Sequence, residues 1–111
     1  MIFKEKHKDV NILKLKGSLD ATSVGEADRV FHKLKSEKAK KVILDMSGLN
    51  YINSMGIERL IMLYHDMQDY GGRMMVTSLQ PVVKEIFEIT KLELVIDVFP
   101  DKDTAMSQFR K

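Results

Sequence analysis

Ser54 is the residue whose surroundings are best suited to chemistry. A short apolar run, Lys41-Val42-Ile43-Leu44-Asp45-Met46, reads as a buried strand, and the turn formers Gly48 and Asn50 follow it. A second helical segment starts at about Ser54, so the serine falls at or beside the first turn of a helix. Backbone N–H groups are unpaired at that end, and the aligned peptide dipoles make it positive. A phosphoryl group on Ser54 would be stabilised in place, adding charge without melting the helix. Serine is also a preferred N-cap, so a purely structural reading of Ser54 stands beside the chemical one.

Other catalytic constellations are incomplete. A hydrolase nucleophile elbow carries glycine two residues before its serine, and here that residue is Ile52. His7, His32 and His65 show no arrangement that sets one of them beside Ser54. Asp45 lacks the acidic pair and downstream lysine of Mg²⁺-assisted phosphoryl chemistry, and no glycine loop cradles a phosphate. Zero cysteines exclude disulfides, thiolate metal sites and cysteine nucleophiles. The expectation is a binding protein that is not an enzyme, with no cofactor and no metal.

Composition narrows the class further. The 111 residues give room for one domain, 1–111, and a hydrophobic fraction of 44% suits a globular core. Net charge is only +2, with acids and bases interleaved and no tryptophan, which argues against a nucleic-acid partner. No apolar run approaches the roughly 18 residues of a membrane span, and the charged start, Met1 to Asp9, has no signal-peptide core. A cytoplasmic protein without direct membrane insertion is expected.

The elements that must position Ser54 can be read from periodicity. Ile2 to Lys6 and the alternating Val10 to Leu15 form a hairpin across His7-Lys8-Asp9, closed by Gly17-Ser18-Leu19-Asp20. Thr22 or Ser23 caps a helix with apolar positions Val24, Ala27, Val30, Phe31 and Leu34, and Glu26 completes a capping-box pattern with Ser23. After the strand at Lys41–Met46, Ser47 to Asn53 is expected to be a loop. Helix follows from about Ser54 to Tyr70, stopped by Gly71-Gly72. Strand at Arg73–Thr77, helix from Pro81 to Thr90, strand within Leu92–Phe99 and helix from Asp101 or Asp103 to Phe109 complete the order. The fold class is α/β, a mixed sheet of about five strands with about four helices packed on it.

Four segments, in order, carry a family resemblance. Asp45-x-Ser47-Gly48-Leu49-x-x-Ile52-Asn53-Ser54-x-Gly56-Ile57 resembles the signature of STAS domains, the bacterial anti-sigma factor antagonists and their relatives. Gly17-Ser18-Leu19-Asp20, Tyr70 to Val76 and Ser78 to Lys84 are similar to the family's flanking motifs, so the likeness spans almost the whole chain. The resemblance implies that Ser54 matches the serine phosphorylated by a partner anti-sigma factor, an ATP-binding serine kinase. Unmodified antagonist would bind that kinase and free sigma factor, phosphorylation would block binding, and a serine phosphatase would restore it. Asp20 matches the family acid near that serine, with a plain turn-forming role as the alternative. Asn53 stands where the family usually has Asp, and Met55 where it usually has Ser or Thr. The same fold also serves in lipid-transport ATPase complexes and stress-sensing assemblies, which remain open as alternatives.

The helix after Ser54 suggests how a partner would be held. Ile57, Leu60, Ile61, Tyr64 and Met67 form an apolar stripe that reads as core. Met55, Arg59 and Met62 lie outside its centre, either as the edge of that core or as an adaptable surface beside Ser54. The expected partner surface comprises Asp20, Thr22, Asn53, Ser54, Met55, Arg59 and Met62.

Overall fold

The computed structural model describes residues 1–110, in ten short elements. Strands β1 (Ile2–His7) and β2 (Val10–Leu19) form the hairpin, and helix α1 (Val24–Ser36) leads to β3 (Lys41–Ile52). Helix α2 (Ser54–Asp69), β4 (Arg73–Thr77) and α3 (Pro81–Ile89) follow. A 3₁₀ turn (Leu92–Leu94), β5 (Asp97–Phe99) and α4 (Lys102–Phe109) end the chain. The sheet runs β1-β2-β3-β4-β5, antiparallel between the first two strands and parallel thereafter.

That unreversed order decides where the helices go. Each crossover from β2 to β5 moves the same way across the sheet, and right-handed crossovers therefore place α1, α2 and α3 on one face. Their buried residues, Ala27, Phe31, Leu34, Leu60, Leu63, Met67, Val83 and Phe87, join Leu13, Leu15, Val42, Leu44, Met74 and Val76 in the main core. Helix α4 covers the other face alone, through Ala105 and Met106 against Val10, Ile12, Ile43 and Met75. Central β3 is thus buried from both sides, which is why Val42, Ile43 and Leu44 form a continuous apolar run. An order that never reverses also lacks the switch-point crevice in which doubly wound sheets bind cofactors.

One segment differs from the sequence expectation. Ser47–Ile52 is strand and not loop, because β2 also continues to Leu19 and keeps pairing with it: Lys16 with Gly48, Gly17 with Leu49, Ser18 with Tyr51, Leu19 with Ile52. The pairing shifts register twice, at Gly17 with φ +87° and at Gly48, where a Cβ would sit 2.9 Å from Lys16 Cγ. The strand expected within Leu92–Phe99 is Asp97–Phe99. Leu92 and Ile96 are both buried, a helical spacing, so the first half coils as a 3₁₀ turn and only Asp97–Phe99 pairs with β4.

Candidate functional site

Strands β2, β3 and β4 all point to one edge of the sheet and hand over there to α1, α2 and α3. Leu19 and Ile52 are paired neighbours, so the residues that follow them, Asp20 and Asn53, emerge side by side. The Asn53 N–H donates to Leu19 O at 3.2 Å, fastening the start of α2 to the end of β2. Gly56 makes this approach possible: a Cβ on it would lie 2.4 Å from Leu19 O and 2.9 Å from Ile52 Cγ1.

The cap of α2 is Asn53, whose Oδ1 accepts the Gly56 N–H at 3.1 Å from an extended backbone (φ −109°, ψ −176°). Ser54 is therefore not the cap but the first helical residue. Its hydroxyl is exposed and makes no hydrogen bond among the described residues. No acidic residue occupies the first turn of α2, so the positive end of the dipole is left unneutralised by its own helix. Asn53 supplies the acceptor that an aspartate would, without placing a negative charge beside Ser54.

The other expected site residues divide between local structure and open surface. Asp20 accepts from the Thr22 hydroxyl at 2.6 Å and from the Thr22 N–H at 2.9 Å, a small turn leading into α1. Those two bonds, the hydroxyl's foremost, hold the Asp20 carboxyl below the ordinary carboxylate value. Thr22 itself is exposed. The capping box expected of Ser23 and Glu26 does not form. Ser23 Oγ donates to Ser18 O at 2.7 Å and accepts from the Asp20 N–H at 3.1 Å. The Glu26 carboxylate accepts from the Ile2 N–H at 3.0 Å, so the hairpin takes the group that the helix start would use.

Met55, Arg59 and Met62 follow one another at helical spacing on the flank of α2. Met55 and Met62 are 39% and 47% exposed, which separates them from the buried Leu60, Leu63 and Met67. Arg59 is partly covered and engaged: Nε donates to Asp28 Oδ1 at 2.7 Å and Nη1 to Glu58 Oε1 at 2.7 Å. It clasps α1 to α2, a role the sequence reading did not include. An open groove of about 440 Å³ runs between the two helices, lined by Asp28, Phe31, His32, Lys35, Glu58, Arg59, Met62 and Leu63. Its α1 wall was missed, although Asp28, His32 and Lys35 sit at helical spacing on one side of that helix.

His7, His32 and His65 are exposed and none hydrogen-bonds to Ser54. Asp45 accepts from the Ser47 N–H at 3.0 Å as part of the β3 backbone. Among the described residues, no group of three or more His, Asp or Glu could hold a metal ion, and no helix is long and apolar enough to cross a membrane. What the geometry offers is an exposed acceptor hydroxyl on a rigid corner, bordered by a flank that mixes methionine and charge.

A model of the STAS domain family matches residues 2–105. BtrV of Bordetella bronchiseptica, which bears the provisional name of an anti-sigma factor antagonist, is 27% identical over 64% of this chain. The matched segment spans 61% of BtrV's length. The anti-sigma F factor antagonist of Paenibacillus polymyxa is 22% identical over 94% of this chain and 90% of its own. Among solved structures, an anti-sigma factor antagonist from Mycobacterium paratuberculosis superposes with a TM-score of 0.91 at 18% identity, covering 100% of this chain and 94% of that one. The Bacillus cell fate determinant SpoIIAA in its phosphorylated form superposes with a TM-score of 0.76 at 15% identity, covering 98% and 99%.

Proposed function

This chain belongs to the STAS domain family, and from that membership and the geometry at Ser54 we propose that it is a cytoplasmic anti-sigma factor antagonist switched by phosphorylation of Ser54. The names of its relatives support the first part of this reading. The observation that carries the second is the Ser54 hydroxyl, exposed and unpartnered at the first position of α2, with the cap bond already made by Asn53. In the transfer step Ser54 Oγ attacks the γ-phosphorus of ATP held by the anti-sigma factor, ADP leaves, and the hydroxyl proton passes to a base of the kinase. The new phosphate brings about −1.5 to −2 charges at neutral pH. Helix N–H groups tolerate it, so its effect falls on the interface and not on the fold.

The docking surface in this reading is Asp20, Thr22, Asn53, Ser54, Met55, Arg59 and Met62. Met55 and Met62 supply adaptable apolar contact, while Arg59, already oriented by Asp28 and Glu58, presents a fixed polar edge. A serine phosphatase would return the chain to its binding form.

Co-purification of tagged protein from its native host, followed by label transfer from ATP, tests the proposal. An ATP-binding anti-sigma factor should be recovered and should label the wild type but not Ser54→Ala, which keeps binding. Ser54→Asp should stay folded and bind poorly. Recovery of a transporter ATPase or a large multisubunit assembly in its place overturns the antagonist reading. Phosphate on another residue, with Ser54 unmodified, overturns the site.

A further inference from the structure

We propose that Met55 and Met62 form an oxidisable pair, a second modification site through which peroxide-class oxidants keep the free chain from docking its partner independently of Ser54. The regulatory half of this proposal rests on the docking surface above; the selectivity of the chemistry does not.

The chain has 8 methionines and no cysteine, so thioether is its only oxidisable sulfur. Five of the eight are inside: Met46, Met67 and Met75 are 0% exposed, Met74 2% and Met106 8%. Met1, 64% exposed, precedes β1 and lies outside the elements. The remaining two, Met55 and Met62, are the open ones within helices and strands, and both lie on the flank of α2 that begins at Ser54. Their separation of seven residues is nearly two turns, which puts both thioethers on one side of the helix, about 10 Å apart along its axis. Arg59 between them is anchored to Asp28 and Glu58, so the spacing of the pair is held by a rigid element.

The reaction needs only a two-electron oxidant. The methionine sulfur lone pair attacks one oxygen of hydrogen peroxide, the O–O bond breaks, and the other oxygen leaves as water after proton transfer. Sulfur gains an oxygen and is oxidised by two electrons, and the peroxide is reduced by the same two. A flexible apolar side chain becomes a polar sulfoxide, which reductases specific for each epimer can reverse. On a buried methionine this change would damage the core. On Met55 and Met62 it removes no core packing, so the folded chain persists with an altered face. Exposure thus sorts the methionines within helices and strands into a reactive pair that can signal and a protected set that maintains the fold.

The experiment treats the folded chain with hydrogen peroxide and follows the 8 sulfurs by peptide mass spectrometry. Met55 and Met62 should convert at least about tenfold faster than Met46, Met67 and Met75, with the far-ultraviolet circular dichroism spectrum retained. Affinity for the anti-sigma factor recovered by co-purification should fall at least about tenfold and return after treatment with both methionine sulfoxide reductases. In the Met55→Leu/Met62→Leu double variant, peroxide should leave the variant's own affinity within about twofold of its untreated value. Equal oxidation rates at open and buried methionines overturn the proposal on the chain alone. Full conversion of the pair with unchanged affinity overturns its regulatory role. Untreated wild type that captures no anti-sigma factor overturns the antagonist reading, and the regulatory role with it, whatever the oxidation rates.

Discussion

Two serines stand at the beginnings of neighbouring helices on the same edge of the sheet, and they do opposite work. Ser23 precedes α1, is half-buried, and spends its hydroxyl on Ser18 O and the Asp20 N–H. Ser54 begins α2 one position later relative to its helix, is exposed, and has nothing to hold. The difference is produced by the neighbour. Asn53 takes the capping role at α2 and frees the serine, whereas at α1 no residue relieves Ser23 of its structural bonds. A hydroxyl at a helix start is therefore available for chemistry only when another group has already satisfied the local backbone.

The largest expected effect breaks the platform on which Ser54 stands. In Gly56→Ala the new Cβ meets Leu19 O at 2.4 Å, and backbone cannot yield as a side chain would. Helix α2 must lift from the end of β2, at a cost of about 3 kcal/mol in urea-unfolding free energy. Label transfer to Ser54 should fall as well, since the corner that presents it has moved. A variant as stable as wild type would show that the Leu19–Asn53 fastening is not what orients the site.

Substitutions at the two helix starts sharpen the contrast. Ser23→Ala leaves Ser18 O and the Asp20 N–H without their side-chain partner and should cost about 1 kcal/mol. Asn53→Ala loses the bond to the Gly56 N–H and should cost about 1 kcal/mol, whereas Asn53→Asp should cost little and accept phosphate at least as fast. Ser54→Ala should shift stability by less than about 0.5 kcal/mol while abolishing labelling. Denaturation midpoints for the four variants, measured together, separate structural from available hydroxyls. Equal losses for Ser23→Ala and Ser54→Ala would erase the distinction.

The same contrast explains what could be read in the sequence. The strand at Lys41–Met46 and the apolar stripe of α2 carry their meaning in local spacing, and the structure sets the first within β3 and packs the second against the main core. Groups whose partner lies far along the chain were not legible. Glu26 has the spacing of a capping-box partner but is taken by Ile2, 24 residues away, and Arg59 is engaged by Asp28, 31 residues away. The expected loop at Ser47–Asn53 failed for a related reason: its turn formers are real, but β2 runs on beside it and pairs with it. Even Ser54's freedom follows from Asn53, whose capping bond the sequence reading weighed only as a possibility for the serine itself.

The smallest expected effect comes from acid, and it again distinguishes one helix start from another. Asp101 caps α4 by accepting the Thr104 N–H at 2.7 Å, and Asp20 holds the turn before α1 through Thr22. Hydrogen bonds from Thr104 and from Thr22 hold these two carboxyls below the ordinary carboxylate value. A folded-state value lower than the unfolded one means that the unfolded chain binds protons more readily on the way down. Their contribution is then fully present above the unfolded value of about 3.9 and is lost as pH falls through the depressed folded values. At α2 the capping group is Asn53, which carries no titrating proton, so the start of that helix should keep its cap through the same range. Amide hydrogen exchange between pH 5 and 2.5, corrected for intrinsic rates, should show protection declining at Thr104 and Thr22 before it declines at Gly56. Asp101→Asn, which keeps the acceptor and removes the charge, should abolish the decline at Thr104. Loss of protection at Gly56 in step with Thr104 would mean that acid acts on the whole fold and that the choice of cap at Ser54's corner has no bearing on its persistence.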